Sequence, residues 1–128
     1  VLQSSTWSQR LLALFFVSAG VTHFAYPGFF LAMMPRLIPA NLHAMLVAFT
    51  GVCEISGGVA VLVPTLRRLA GVALMVFLVA VLPANIQMLL NAQASGASTG
   101  ALAALWVRLP VQGLLLWWVW RATLAKRA

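Results

Sequence analysis

Glu54, in the stretch GVCEISGG, is the only acidic residue of the chain and stands inside a long apolar run. A charge left alone in hydrocarbon costs on the order of 3 kcal/mol even on insertion scales, so this carboxylate needs a cation, a hydrogen-bond donor or water. Arg108, in LAALWVRLPVQG, is equally out of place, and its guanidinium keeps its proton in any protein environment. Three more polar side chains interrupt apolar runs: His23 in VTHFAYPG, Asn85 in VLPANIQ, and Gln112, which shares a helix face with Arg108 at i+4. Together they can hold the carbonyl or hydroxyl of an apolar molecule, lock helices in register, or pass protons.

Other chemistries find no support. No nucleophile with an adjacent base, glycine-rich phosphate loop or carboxylate pair is present, so an autonomous enzyme is not expected. One carboxylate and two histidines on separate segments do not make a metal site. Cys53 is the sole cysteine, which excludes a disulfide framework and a Cys-x-x-Cys redox pair within one chain.

The elements that must position these residues follow from composition. With 63% hydrophobic and 7% charged residues among 128, and a mean hydropathy of +1.02, the chain cannot coat a soluble surface with polar groups. The net charge of +7 comes from dispersed Lys and Arg that mostly flank apolar runs, which indicates membrane topology and not nucleic-acid binding. A spanning helix needs about 20 apolar residues. Four segments qualify: 6–26, stopped at Pro27 and Gly28; 41–63, with Asn41 as N-cap after Pro39 and Pro64 as terminator; 66–90, capped by Thr65; and 101–124. The small, uncharged stretch from Asn91 to Gly100 reads as an aqueous loop. The fold class is therefore all-α, a single four-helix membrane domain over 1–128 without internal repeats.

Basic residues beside short loops stay cytoplasmic. With both ends inside, Arg10, Arg67, Arg68, Arg121, Lys126 and Arg127 lie at the inner face and only Arg36 lies outside. Trp7, Trp117, Trp118 and Trp120 then form an inner aromatic belt. The outer segment PGFFLAMMPRLIPAN is too apolar for a solvated loop: Phe29, Phe30, Leu31, Met33, Met34, Leu37 and Ile38 lie along the interface or fold as a lid, while Pro35 and Pro39 prevent a long helix. His43 reads as a solvated residue at the outer start of the second helix.

Rise per residue sets the depths. Arg108 falls on the order of 12 Å below the outer end of its helix and Glu54 on the order of 20 Å below that of its own, an offset that long side chains can bridge. His23, Asn85 and Gln112 belong to the same outer half, so one residue or more from each helix converges on an outward-facing pocket. Gly51, Glu54 and Gly58 share a face, beside Gly57, where small residues let a neighbouring helix approach or leave a ligand groove. Pro83 and Pro110 free the carbonyls of Val79 and Trp106 close by, and Asn85 is placed to answer freed backbone.

The ordered pieces HFAYPGFF, MMPRLIP, GVCEISGGVAVLVPTLRRLAG, LPANIQM and RLPVQ resemble the DoxX family of small four-helix bacterial membrane proteins, over about residues 10–120. The resemblance implies a bacterial inner-membrane protein linked to quinone-dependent redox systems or to lipophilic ligands, with His23, Glu54, Asn85, Arg108 and Gln112 as the motif polar residues. Quinone is the cofactor class it implies. The partners are the lipid bilayer, a lipophilic small molecule, and another membrane protein or a second copy. Three functions compete: ligand binding or an accessory redox subunit, membrane-protein assembly with a purely structural charge network, and a proton or ion path. The last lacks a carboxylate relay toward the inner face.

Overall fold

The structure is a computed structural model that describes residues 6–31 and 38–125. Met33, Met34, Pro35, Arg36, Leu37, Lys126 and Arg127, to which the sequence gives roles in the outer segment and the charge pattern, lie outside the described residues. The fold is all-helical: α1 (Trp7–Ala25), α2 (Pro27–Leu31), α3 (Ala40–Val61), α4 (Arg67–Ala94) and α5 (Thr99–Thr123).

α1 starts where expected because Thr6 and Gln9 cap each other. The Thr6 hydroxyl accepts the Gln9 backbone N–H at 3.2 Å, and the Gln9 side chain accepts the Thr6 N–H at 3.0 Å. Gln9 also reaches across the bundle, where its Nε2 donates to the carbonyl of Ala122, 2.8 Å away, and ties the start of α1 to the end of α5. The stop at Pro27 is real, but no loop follows. Pro27 opens the short helix α2, a first-turn position that suits its fixed φ and missing N–H.

Two expected caps and one loop need correction. Asn41 lies within the first turn of α3, whose cap position is Pro39 with no side-chain bond; likewise Leu66, not Thr65, precedes α4. α3 ends at Val61, short of Pro64, and the turn is closed by Arg67, whose Nε donates to the Val61 carbonyl at 2.8 Å. This arginine, expected as a topology charge at the inner face, is buried and satisfies a helix C-terminus. α4 continues to Ala94, through the first part of the expected loop. Polarity alone does not end a helix: Gln87 donates to Asn91 one turn on at 2.8 Å, and the terminator is Gly96, at φ 71°, with Ala97 N–H bonded to Ala92 O. Ser98 then caps α5 by accepting the Ala101 N–H at 3.2 Å.

α1 packs most extensively on α3 and α4 on α5, while narrower seams join α3 to α4 and α1 to α5. Neighbours run antiparallel: Gly20 faces Gly51 where Ala13 faces Gly58, and Gly71 faces Thr123 where Asn85 meets Gln112. The α1–α3 seam is close because its faces lack side chains. A Cβ on Gly20 would lie 2.7 Å from the Gly51 carbonyl oxygen, and one on Gly51 3.1 Å from that of Gly20. The solid core, with Leu12, Phe16, Val61, Leu74 and Val119, fills the end where α1 begins and α5 finishes. Arg10, Arg67, Arg68 and Arg121 occupy that same end.

The outer surface is apolar, with Leu14, Phe49, Leu69, Val76 and Leu114 all more than half exposed. α3, α4 and α5 are each long and apolar enough to cross a membrane. Such a surface belongs in lipid, and the chain is a membrane protein.

Close packing at Gly71 gives a direct check. A Cβ there collides with the Thr123 hydroxyl, whereas one on Gly100 meets nothing within 4 Å. Gly71→Ala is expected to destabilise the fold by about 1–3 kcal/mol, while Gly100→Ala leaves it unchanged or stabilises it. Thermal unfolding in detergent measures both, and equal effects would contradict this packing.

Candidate functional site

Beyond the core, toward the α2 end, the helices separate around a cavity of about 340 Å³. His23, Glu54, Asn85, Arg108 and Gln112 all line it, contributed by α1, α3, α4 and α5. Most of the remaining wall is apolar, including Phe15, Phe16, Phe30 and Phe77.

Glu54 is 8% exposed, and the group beside it is a histidine. Its Oε2 lies 3.2 Å from His23 Nδ1. The hydrogen on that nitrogen is directed elsewhere: Nδ1 is 2.8 Å from the Ala19 carbonyl, which can only accept, so Nδ1 is the donor in that bond. Glu54 Oε2 is consequently buried without a hydrogen-bond partner among the described residues. The opposite ring face is covered, since Phe30 stacks on His23 with centroids 3.7 Å apart and planes 15° apart. Phe30, from the outer segment, is thus part of the cavity wall.

Arg108 does not pair with Glu54 among the described residues. Its Nη1 is 3.8 Å from the thioether sulfur of Met88, a weak acceptor. The reason lies in the glycine seam, which draws α1 against α3 and places His23 beside the carboxylate. Arg108 belongs to the α4–α5 pair across the cavity. A cation and a carboxyl thus line one space without joining.

Gln112 and Asn85 form a separate, closed network. Asn85 Nδ2 donates to Gln112 Oε1, and Gln112 Nε2 donates to the Leu78 carbonyl. Asn85, expected to answer freed backbone, bonds to Gln112 instead, and it is Gln112 that reaches a backbone carbonyl. The backbone it reaches is Leu78, one residue before the carbonyl that Pro83 frees.

Several contacts escaped the sequence reading. Thr50 lines the cavity one turn from Glu54, and its hydroxyl donates to the Val47 carbonyl at 2.8 Å; the i−4 spacing was the available signal. The Met88 contact and the Phe30 stack have no sequence signal, since both depend on how helices meet. His43 is not simply solvated, as its Nε2 is 2.8 Å from the Ile38 carbonyl. Trp118 is more than a belt residue, for its indole N–H donates to Ser8 Oγ at 2.9 Å. Trp7 and Trp117 fit the belt better, exposed and each under an arginine, Arg10 at 5.3 Å and Arg121 at 5.9 Å. Cys53 is a free thiol, and among the described residues no three His, Cys, Asp or Glu side chains gather.

The fold and cavity define a helical membrane protein with a polar-studded interior. The chain belongs to the family described as Domain of unknown function (DUF8561), whose pattern it matches over residues 12–123. No curated protein and no solved structure matches it.

The closed network sets a measurable cost. Gln112→Leu strands Asn85 and is expected to lose about 1–3 kcal/mol of stability. Gln87→Ala, which breaks only a bond along one helix, should cost about 0.2–0.5 kcal/mol. Denaturation of the two variants in matched detergent tests the ordering.

Proposed function

We propose that the chain is a four-span protein of the bacterial inner membrane, with both ends cytoplasmic, whose cavity binds a lipophilic, quinone-like molecule. On this reading it acts as a binding protein or as the accessory subunit of a membrane redox system. The observation that carries it is an apolar-walled space of about 340 Å³ that holds a guanidinium and a carboxyl oxygen, Glu54 Oε2, without a hydrogen-bond partner among the described residues. Small-molecule sites have this form, about 300–1,000 Å³ of mostly apolar wall with a few placed polar groups. The DoxX resemblance supports the quinone class and the location. The orientation is supported by Arg10, Arg67, Arg68 and Arg121 at one end, and α1, at 19 residues, approaches the length of a span.

A second reading has its own observation. The Asn85–Gln112–Leu78 network is satisfied without any ligand and clamps α4 to α5, as expected of a structural or assembly protein whose polar residues set helix register. The two readings separate in one experiment. Decylubiquinone is expected to raise the unfolding temperature of the purified protein by several degrees, and Glu54→Gln or Arg108→Ala to abolish the rise. A Glu54→Gln, Arg108→Gln double variant that folds but is no longer protected would exclude the purely structural reading. Undiminished protection in these variants would exclude the ligand reading.

The topology is tested separately. Alkaline phosphatase fused after residue 128 should be inactive in a bacterial host, and the same enzyme inserted between α2 and α3 should be active. The reverse pattern overturns the orientation.

A further inference from the structure

We infer that the ligand is a lipophilic phenol, a ring bearing a hydroxyl donor and a second oxygen acceptor, whose chain leaves the cavity past Phe15 between α1 and α5. This rests on the ligand-binding reading above and adds the chemistry of the head group and the route of the tail.

The head group follows from what the two charged side chains lack. Among the described residues Glu54 Oε2 is buried and without a donor, because the hydrogen on His23 Nδ1 goes to Ala19 O. A ligand hydroxyl supplies that donor to the carboxylate, whereas a carbonyl-only head pairs with Glu54 only when the carboxyl carries its own proton. Arg108 keeps its five N–H donors and, among the described residues, has only the Met88 thioether opposite one of them, so it calls for an oxygen acceptor. The walls between them carry Phe16, Phe30 and Phe77, faces and edges against which an aromatic ring packs better than an alkyl chain.

The tail follows from volume and from a second hollow. About 340 Å³ accommodates a substituted ring with the first part of a chain, and the rest of a long chain must leave. On the outside of the α1–α5 seam runs an apolar groove, and Phe15 and Ala19 line both it and the cavity. Phe15 is 42% exposed, set edge-on to Phe16 at 5.3 Å and tilted against Trp118 at 6.3 Å. Ala19 leaves the wall thin, so a change of the Phe15 rotamer connects ring site and bilayer.

The test uses para-decyloxyphenol, its methyl ether para-decyloxyanisole, and para-methoxyphenol, which lacks the chain, each titrated by calorimetry into the full-length protein in detergent. The phenol is expected to bind about tenfold tighter than its methyl ether, the worth of one hydrogen bond to a charged acceptor. Glu54→Gln should erase most of that preference. Phe15→Trp, which fills the seam, should weaken the decyl phenol several-fold and leave para-methoxyphenol unchanged. The phenol and ether comparison is made on the unaltered protein, so it holds even if a variant fails to fold. Equal affinity of phenol and ether overturns the head-group inference while leaving a lipophilic site intact. Equal loss of both phenols in a folded Phe15→Trp overturns the tail route. Binding of decylubiquinone with none of these probes overturns the inference alone, and binding of nothing overturns the site itself.

Discussion

A polar atom inside a membrane protein has no water to fall back on, so each must find its partner within the chain or in something the chain holds. Most of the structure follows from that constraint. Gln9 spends one end on its own cap and the other on Ala122; Arg67 closes on Val61; Gln112 joins Asn85 to Leu78. These bonds fix which helix faces which, since lipid tails give apolar helix faces little reason to prefer one another. Glu54 and Arg108 depart from the rule, and the cavity lies where they do.

The arrangement of small residues explains why the departure occurs there. Gly20 and Gly51 bring α1 onto α3 so closely that His23 reaches the carboxylate, yet the Ala19 carbonyl takes the imidazole hydrogen first. Arg108 is held in the other helix pair with a methionine for company. A direct ion pair would collapse the space between the pairs. Keeping the charges apart keeps it open, at an energetic cost that a bound molecule can offset.

Much of this was legible in the residues. Long apolar runs gave the helices, and lone polar residues within them marked the cavity wall, because burial of such groups demands a reason. Helix ends were less legible: the run from Asn91 looked like loop by polarity, yet side-chain bonding continued α4 until Gly96 supplied a left-handed stop. Partner choice was least legible. The residues left open whether Glu54 meets Arg108, since depth along a helix says nothing of which faces meet; two glycines, which carry no chemistry at all, decided for His23. The buried roles of Gln9 and Arg67 were missed for a similar reason, since their positions near helix ends resemble those of solvated residues.

The hydrogen bonds that stitch the α1–α3 pair to the α4–α5 pair, Gln9 to Ala122, Trp118 to Ser8 and Arg67 to Val61, all sit at the basic end, together with the solid core. Among the described residues none crosses between the pairs at the other end. The molecule is thus built like a clothes-peg, with its spring among the arginines and its jaws at the opposite end of the bundle. Spreading the jaws by an ångström or two strains side-chain packing and breaks no hydrogen bond among those described, so the hollow can change its width while the helices keep their registers.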